Sequence, residues 1–329
     1  MKKALPNISK SIAEEDIHWC LEENYNSLTS DWFPIMSKWL DNSYSVFRDH
    51  EKYLILIFLV KKTFDYYATH FIKLNWNQFF SLKKIEVGKY SIINVAKELK
   101  ISKETTRRKI EELEIINIIK KTKNGIIVQP EFYDSKFLQQ HKIFLKSICV
   151  FVSKFTEILF EEKIIKEKIN AEAIEKSVNL NFSYAWKVFF EMMIPILIDM
   201  KILFNDIESF HIWGSCTLNQ NYEIQKYLKL KNLKISNRKD FFRIHSSIKD
   251  KVGINAMSIS NITGIPRATI IRKLNTLVKK KFIYVDTKKL YYPNIQINET
   301  DAFYKQSSSN VQRLSVFISK LLNLTIATK

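Results

Sequence analysis

Glycine and proline are scarce in this sequence, with five and six of them among 329 residues. These residues interrupt helices most strongly, and the long tracts between them are rich in leucine, isoleucine, lysine and glutamate. The chain is therefore expected to be mostly helical, with strand only in short pieces. Glycine is also too scarce for a loop that cradles phosphates.

Cysteine pairs and catalytic motifs are lacking as well. The three cysteines, Cys20, Cys149 and Cys216, form no CxxC pair, which favours buried reduced thiols over disulfides or zinc ligands. His211 precedes Cys216 by five residues, but the further ligands of a zinc site are missing. The sequence contains no GxxxxGK[ST], HExxH or GxSxG motif. We expect a protein that is not an enzyme and that uses no cofactor and no metal.

Long hydrophobic runs are missing too. The most apolar stretches are 53–60, which is too short to span a bilayer, and 188–204, which Glu191, Asp199 and Lys201 interrupt. The N-terminal residues include no apolar segment of signal-peptide length. We expect both runs to be buried helices, no membrane association, and a cytoplasmic, nucleoid-associated location.

Positive charge is abundant, at +18 overall, which favours an anionic partner such as nucleic acid. Part of the lysine excess is explained by the lysine, isoleucine and asparagine bias typical of AT-rich coding. Arginine is more informative because there are only eight, and four of them fall within 102–112 and 266–276. An even scatter would place about half of one arginine in those two windows.

Both windows belong to an internal repeat. The stretch KISKETTRRKIEELEIINIIKK from Lys100 aligns without a gap with GIPRATIIRKLNTLVKKKFIYV from Gly264. The alignment pairs Thr105 with Thr269 and Arg108 with Arg272. A repeat of this kind determines the architecture, so it is interpreted before other features.

The same parts surround each repeated helix. A short helical stretch precedes it, at 91–100 or 255–263, and its apolar residues recur at helical spacing. Val95 and Leu99, or Ile259 and Ile262, are expected to face a core. Two short strands follow it, with polar tips at Lys123-Asn124-Gly125 and at Thr287-Lys288-Lys289, and Pro130 and Pro293 are expected to end the two hairpins.

Helix, turn, helix and β-hairpin in that order is the plan of a winged helix-turn-helix. The pattern resembles the winged-helix domains of bacterial transcriptional regulators of the MarR and IclR types, over about 45 residues per copy. The resemblance implies two tandem units, each flanked by long helices, with a pseudo-twofold relation. The predicted organisation is an N-terminal helical segment (1–40), a first unit (41–165, with its motif at about 88–130) and a second unit (166–329, with its motif at about 253–293).

Weaker similarities extend the repeat. Downstream, CVFVSKF (149–155) matches SVFISKL (315–321), at nearly the same spacing as the repeated helices. Upstream, a shorter spacing pairs Glu51 with Glu191 and Phe64 with Phe204. The difference between the two spacings predicts roughly two dozen additional residues in the second half, within 205–253.

On a helical wheel the second repeated helix buries Ile270, Leu274 and Leu277, and its outward side carries arginine, asparagine, threonine and alanine. Arginine can recognise guanine, asparagine can recognise adenine, and methyl groups can contact thymine, while lysines suit phosphates. The first helix is a weaker candidate because Glu104 and Glu111 share its outward face. The predicted DNA-binding residues are Arg267, Ala268, Thr269, Arg272, Lys273, Asn275, Thr276, Lys288 and Lys289 in the second copy and Lys103, Thr105, Arg107, Arg108, Lys109, Lys123 and Asn124 in the first.

The sequence therefore predicts a sequence-specific protein for double-stranded DNA, most simply a transcriptional regulator that acts as a monomeric pseudo-dimer. Two half-sites on a duplex would explain two reading helices, although one copy could instead be a scaffold. Plasmid- or phage-type replication initiators also resemble tandem winged helices in a basic chain, and a protein–protein adaptor is a third alternative. The operator and any small-molecule effector are left open.

Overall fold

The computed structural model describes residues 8–129, 135–232, 235, 237–247, 252–295 and 302–328. These residues are mainly helical, and their strands form small antiparallel sheets, so the coarse fold class is confirmed. The helices are α1 (Glu14–Glu23), α2 (Tyr25–Phe47), α3 (His50–Thr69), α4 (Trp76–Phe80), α5 (Ile92–Leu99), α6 (Lys103–Ile115), α7 (Ser135–Glu161), α8 (Ala171–Leu180), α9 (Phe182–Phe204), α10 (Ile207–Leu230), α11 (Arg238–Ser247), α12 (Ala256–Thr263), α13 (Arg267–Lys279) and α14 (Ala302–Thr328). The strands are β1 (Ile85–Gly88), β2 (Ile119–Thr122), β3 (Gly125–Val128), β4 (Ile283–Val285) and β5 (Tyr291–Pro293).

The helix lengths and spacings recur along the described chain. Helices α1 and α2 match α8 and α9 in length and in the gap between them, and α5 and α6 match α12 and α13 in the same way. Helices α7 and α14 both contain 27 residues. Of the seven described helices from α8 to α14, five thus have the same length as the helix at the corresponding place from α1 to α7.

This order corrects the wider alignment that was predicted from sequence. The predicted spacing pairs Phe64 in α3 with Phe204 in α9, but the helix order pairs α3 with α10, so that His50 corresponds to Ile207. The second half gains seven residues before its repeated helix pair, not two dozen. Four of them arise because α10 has 24 residues against 20 in α3. The other three arise because the segment from α10 to α12 (231–255) is longer than that from α3 to α5 (70–91).

The described chain folds into two compact units, each assembled from separated segments. Unit 1 takes its described residues from within 1–17, 51–198 and 313–329, and unit 2 from within 18–50 and 199–312. Each unit contains one of the two repeated helix pairs and the hairpin that follows it.

The contiguous domains predicted from sequence, with divisions after residues 40 and 165, do not coincide with these units. In unit 1 the Ser153 hydroxyl of α7 donates a hydrogen bond to the Ile169 carbonyl just before α8, at 2.9 Å. The Ser319 hydroxyl of α14 donates in the same way to the Ile12 carbonyl just before α1, at 2.9 Å. The last helix of each half is therefore bonded to the residues that precede the first helix of the other half.

Unit 1 is built on aromatic side chains and a small sheet. Phe182 at the start of α9 packs against Phe79 of α4, with ring centroids 5.2 Å apart, and against Phe64 of α3 at 6.4 Å. The sheet has the strand order β1-β3-β2 and is antiparallel throughout. Gly125 has a φ of +140°, and a Cβ on it would lie 1.7 Å from the Gly88 carbonyl oxygen of β1, so only glycine fits at this crossing of the strands.

Unit 2 is also built on aromatic side chains and a small sheet. Trp213 of α10 packs between Phe204 of α9 and Phe303 of α14, with ring centroids 5.0 Å and 4.4 Å away. Strands β4 and β5 pair in an antiparallel hairpin, and Ile254 forms an isolated antiparallel bridge to Tyr291 of β5. Pro293 ends β5, whereas Pro130 lies outside the described residues.

Candidate nucleic-acid interface

Local sequence explains where the two repeated helices begin. The Ser102 hydroxyl accepts a hydrogen bond from the Thr105 amide at 3.1 Å and caps α6. Pro266, which has no amide hydrogen to leave unsatisfied, precedes α13. Before each helix the chain turns through a residue with positive φ, Lys100 or Gly264.

Both repeated helices bury one side, and in α13 the buried residues are the predicted ones. Thr106, Ile110 and Leu113 are buried in α6, as Ile270, Leu274 and Leu277 are in α13. In the preceding helices Val95, Leu99 and Ile259 also face the core.

Ile262 in α12 does not face the core as predicted, because it is 50% exposed. Thr263 is buried in its place. Its hydroxyl donates to the Ile259 carbonyl at 2.8 Å, which satisfies the hydroxyl inside the core.

The outward face of α13 is cationic and carries no carboxylate. Arg267, Ala268, Arg272, Asn275 and Thr276 are exposed, as predicted, and Thr269 is half-buried. The sequence of α13, RATIIRKLNTLVK, contains no aspartate or glutamate. Within the described residues, no carboxylate lies within ion-pair distance of Arg267 or Arg272. Both guanidinium groups are therefore free to bind an external acceptor.

Lys273 is not part of that face, which corrects its prediction as a DNA-binding residue. Its side chain is only 15% exposed, and its ammonium lies 2.7 Å from Asp206 Oδ1, at the first turn of α10. Position 273 lies three residues after Ile270 and four before Leu277, so it falls on the buried side of the helix.

Lys109 in α6 requires the same correction. It is 6% exposed, and its ammonium lies 3.5 Å from Glu51 Oε2 in α3. The repeat aligns Lys109 with Lys273. Each of the two lysines therefore turns inward to a carboxylate of its own unit.

The outward face of α6 is internally neutralised. Arg107 binds Glu104 through two nitrogens, at 2.6 and 3.2 Å, and donates to Glu111 Oε1 at 2.7 Å. The hydrogen bond from Arg107 lowers the pKa of Glu104. Arg108 lies 3.7 Å from Glu112 across one helical turn.

The remaining predicted residues of the first copy lie at the ends of α6 and of its hairpin. Lys103 is exposed, and Thr105 is half-buried where its hydroxyl accepts from Ser102 at 2.8 Å. Lys123 and Asn124 form the exposed two-residue tip between β2 and β3.

The tip of the second hairpin presents Lys288 and Lys289, both exposed. Asp286 shapes this tip by accepting hydrogen bonds from the Leu290 amide and the Tyr292 hydroxyl, each at 2.9 Å. The Leu290 bond is the largest cause of the lowered pKa of Asp286. The lysines are thus held on a defined turn whose single carboxylate is already bonded.

Sequence reasoning missed Arg48. This exposed residue ends α2 in a left-handed conformation with φ of 54°, and its guanidinium Nη1 lies 3.5 Å from the Gly264 carbonyl. It therefore adds a cation beside the turn that separates α12 from α13. The rarity of arginine in the chain was the only signal in the sequence.

Aromatic residues line one cavity in each unit. Phe79, Phe80, Trp186 and Phe190 line a cavity of about 40 Å³ in unit 1, which is close to the space of one or two water molecules. Trp213 lines a separate cavity of about 180 Å³ in unit 2.

No helix among the described residues is both long and apolar enough to cross a membrane. Those residues also contain no cluster of three histidine, cysteine, aspartate or glutamate side chains suited to hold a metal. Comparison of the whole chain with family models, with curated proteins and with solved structures gave no match.

Proposed function

We propose that this chain is a sequence-specific protein for double-stranded DNA that carries two winged helix-turn-helix units. The supporting observation is the outward face of α13. It combines two unpaired guanidinium groups with an exposed amide and threonine side chains, and it has no carboxylate to repel phosphates. The exposed lysines of the second hairpin tip add phosphate contacts.

In the first form of the proposal, the chain is a transcriptional regulator that acts at the nucleoid as a monomeric pseudo-dimer. The helix order that recurs from α8 to α14 supports a duplicated framework. A chain that already carries two reading helices does not need to dimerise to contact two half-sites. The proposal involves no catalysis, cofactor, metal or membrane.

A specific observation favours a second form, a plasmid- or phage-type replication initiator. The positive charge on the outward face of α6 is neutralised by glutamates of the same helix, whereas the outward face of α13 carries no carboxylate. Unlike faces suit unlike half-sites, and an inverted repeat of identical half-sites requires equal faces. Iterated, asymmetric sites fit the observed difference better.

Selection of bound sequences from a random duplex library tests both forms. Enrichment of an inverted pair of half-sites supports the regulator, and enrichment of direct repeats of an asymmetric site supports the initiator. An unselected pool would remove the DNA-binding proposal and leave the protein–protein adaptor. Light scattering of the complex should give one chain per duplex, and a 2:1 complex would refute the pseudo-dimer.

A further inference from the structure

Beneath α13, unit 2 contains a buried chain of polar side chains that DNA contact alone does not explain. His211 Nε2 lies 2.9 Å from Asp41 Oδ1, and His211 Nδ1 lies 3.1 Å from His50 Nε2. His50 Nδ1 lies in turn 3.1 Å from the Ser43 hydroxyl, which is also 2.8 Å from the Leu40 carbonyl. His50 and His211 are 1% and 2% exposed, so water does not compete for these contacts.

The order of donors in this chain follows from Asp41. An ionised carboxylate only accepts, so His211 Nε2 carries a hydrogen and Nδ1 of the same neutral ring accepts from His50 Nε2. His50 Nδ1 is then an acceptor. The Ser43 hydroxyl therefore donates its hydrogen bond to His50 Nδ1 and not to the Leu40 carbonyl. If His50 Nδ1 gains a proton, it donates to Ser43, and Ser43 donates to Leu40 instead. The chain thus has two fully bonded states that differ by one positive charge.

Two carboxylates at the start of α10 lie next to His50 and to α13, respectively. The Glu208 carboxylate accepts from the His50 amide at 3.0 Å, and Asp206, two residues earlier, holds Lys273 of α13 at 2.7 Å. Burial, followed by His211 and then Lys273, lowers the pKa of His50 well below its usual range. Because such coupling is reciprocal, a proton on His50 weakens the hold on Lys273.

Other charged and titratable groups also face the imidazole pair. Burial raises the pKa of Glu208, against the bond from the His50 amide and the charge of Lys273. The Tyr44 ring lies 5.3 Å from His50. Burial first, and then Glu208 and Asp49, raise the pKa of Tyr44, while Arg48 opposes the shift. The pair therefore lies among both signs of charge, with Lys273 as the cation that belongs to the reading helix.

The duplicated framework does not require this polar chain. When α2 is aligned with α9 and α3 with α10, Asp41, Ser43, His50 and His211 correspond in order to Ile198, Met200, Ile207 and Leu54. All four counterparts are buried and apolar. The inward lysine, by contrast, is present in both copies. Apolar replacement of buried polar groups is often neutral or stabilising, so folding alone does not require the polar version.

We propose that Asp41, Ser43, His50 and His211 position α13 through Lys273, and that proton uptake by His50 releases this helix, so that DNA binding by unit 2 weakens in acid. The inference rests on the proposed DNA-binding function. Acid ordinarily strengthens DNA binding by adding positive charge, so the expected direction is opposite to the general one.

The sign for stability follows from the lowered pKa of His50. The folded chain resists protonation more than the unfolded chain does, so the stabilisation is present above the ordinary histidine pKa of about 6.5. It is lost as the pH falls from there toward the lower pKa of the folded state.

The test transfers the apolar counterparts into unit 2 as Asp41→Ile, Ser43→Met, His50→Ile and His211→Leu in one full-length variant. Thermal unfolding and binding to duplex DNA, by fluorescence anisotropy, are followed from about pH 8 to about pH 5 for this variant and the native chain. Relative to the variant, the native chain should lose affinity by up to about tenfold per pH unit once the pair titrates. Its unfolding midpoint should also fall more steeply with acid.

If the fourfold variant does not fold, the single variant His50→Gln tests the same inference. It removes the titrating ring and keeps a hydrogen-bonding side chain. Parallel pH profiles of the native chain and either folded variant, in both measurements, would overturn the inference and leave the proposed function intact. A pH-dependent difference in unfolding with no DNA binding at any pH would refute the proposed function and retain proton uptake by the pair. A variant that binds DNA more weakly than the native chain in acid would contradict the release of α13.

Discussion

Helices α6 and α13 have the same length and the same buried positions, yet their outward faces differ in charge. In α6, Arg107 is bound by Glu104 and Glu111, whereas Arg267 and Arg272 of α13 have no carboxylate partner among the described residues. The buried positions are alike in the two helices, and the exposed positions differ in their carboxylates. The position of a helix in a repeated frame is therefore a poor guide to what its surface binds.

The inward lysines show the opposite trend. Lys109 and Lys273 sit at the same place in the two helices, and each pairs with a carboxylate at the start of a long helix, Glu51 in α3 or Asp206 at α10. Their positive charge is used inside the fold. A lysine that recurs on the buried side of both copies is thus a structural residue, and the cations expected to contact DNA are those on the exposed face of α13.

The largest expected effect concerns the inward lysines. Lys109→Met should lower the free energy of unfolding by about 2–3 kcal/mol, because it removes a buried cation from beside the partly buried Glu51 carboxylate. Urea unfolding measures this loss. Arg108→Met, one position along and exposed, is the matched control and should stay within about 0.5 kcal/mol of the native chain. Equal effects of the two changes would show that Lys109 is not a buried anchor.

The second effect separates the two outward faces. Arg272→Ala should weaken binding to the selected sequence by about 2 kcal/mol, roughly thirtyfold, and relax preference at one base pair. Arg108→Ala, at the equivalent position of α6, should change affinity by less than about 0.5 kcal/mol because Glu112 already pairs with Arg108. Anisotropy titrations on selected and random duplexes measure both. Equal weakening on both duplexes by Arg272→Ala would make this arginine a phosphate contact.

A smaller effect is expected at the second hairpin tip. Lys288→Ala and Lys289→Ala should each reduce the slope of log K against log salt by about 0.9, with a similar loss on every duplex. Lys123→Ala at the tip of the first hairpin is the matched change. An unchanged slope in the Lys288 and Lys289 variants would place the second hairpin away from the phosphates.

The smallest effect tests whether α6 contacts DNA once Arg107 is released from its glutamate partners. Glu104→Gln combined with Glu111→Gln should free Arg107 and strengthen duplex binding by about 0.5 kcal/mol, the scale of exposed ion pairs. The same duplex titration measures the gain. Glu157→Gln combined with Glu161→Gln, both exposed in α7, changes the net charge by the same two units and is the matched control. No gain beyond that control would mean that α6 does not approach DNA.

Local patterns in the sequence were sufficient to predict the two repeated helices and their hairpins. Apolar residues at helical spacing predicted the buried sides of α6 and α13, and the Asn124-Gly125 pair marked the first hairpin tip. The inward turn of Lys109 and Lys273 was not predictable in the same way. A long lysine side chain at the edge of the buried stripe can reach either solvent or a carboxylate, and that carboxylate comes from a distant helix.

Contacts between residues far apart in the chain were even harder to predict from the sequence. The bond from Ser319 to Ile12 joins the two ends of the chain and follows no periodicity, so the interleaved units could not be inferred. The pairing of α3 with α9 depended on a few matching residues in diverged helices, whereas the helix order pairs α3 with α10. The buried pair His50 and His211 was invisible because 161 residues separate its members.

Selection from a random duplex library, with the native chain and with Arg272→Ala, tests most directly whether α13 reads double-stranded DNA. If it does, the native chain should enrich a defined sequence, and Arg272→Ala should enrich the same sequence with one position degenerate. Failure of the native chain to enrich any sequence, or an identical motif from both proteins, would contradict a reading role for α13.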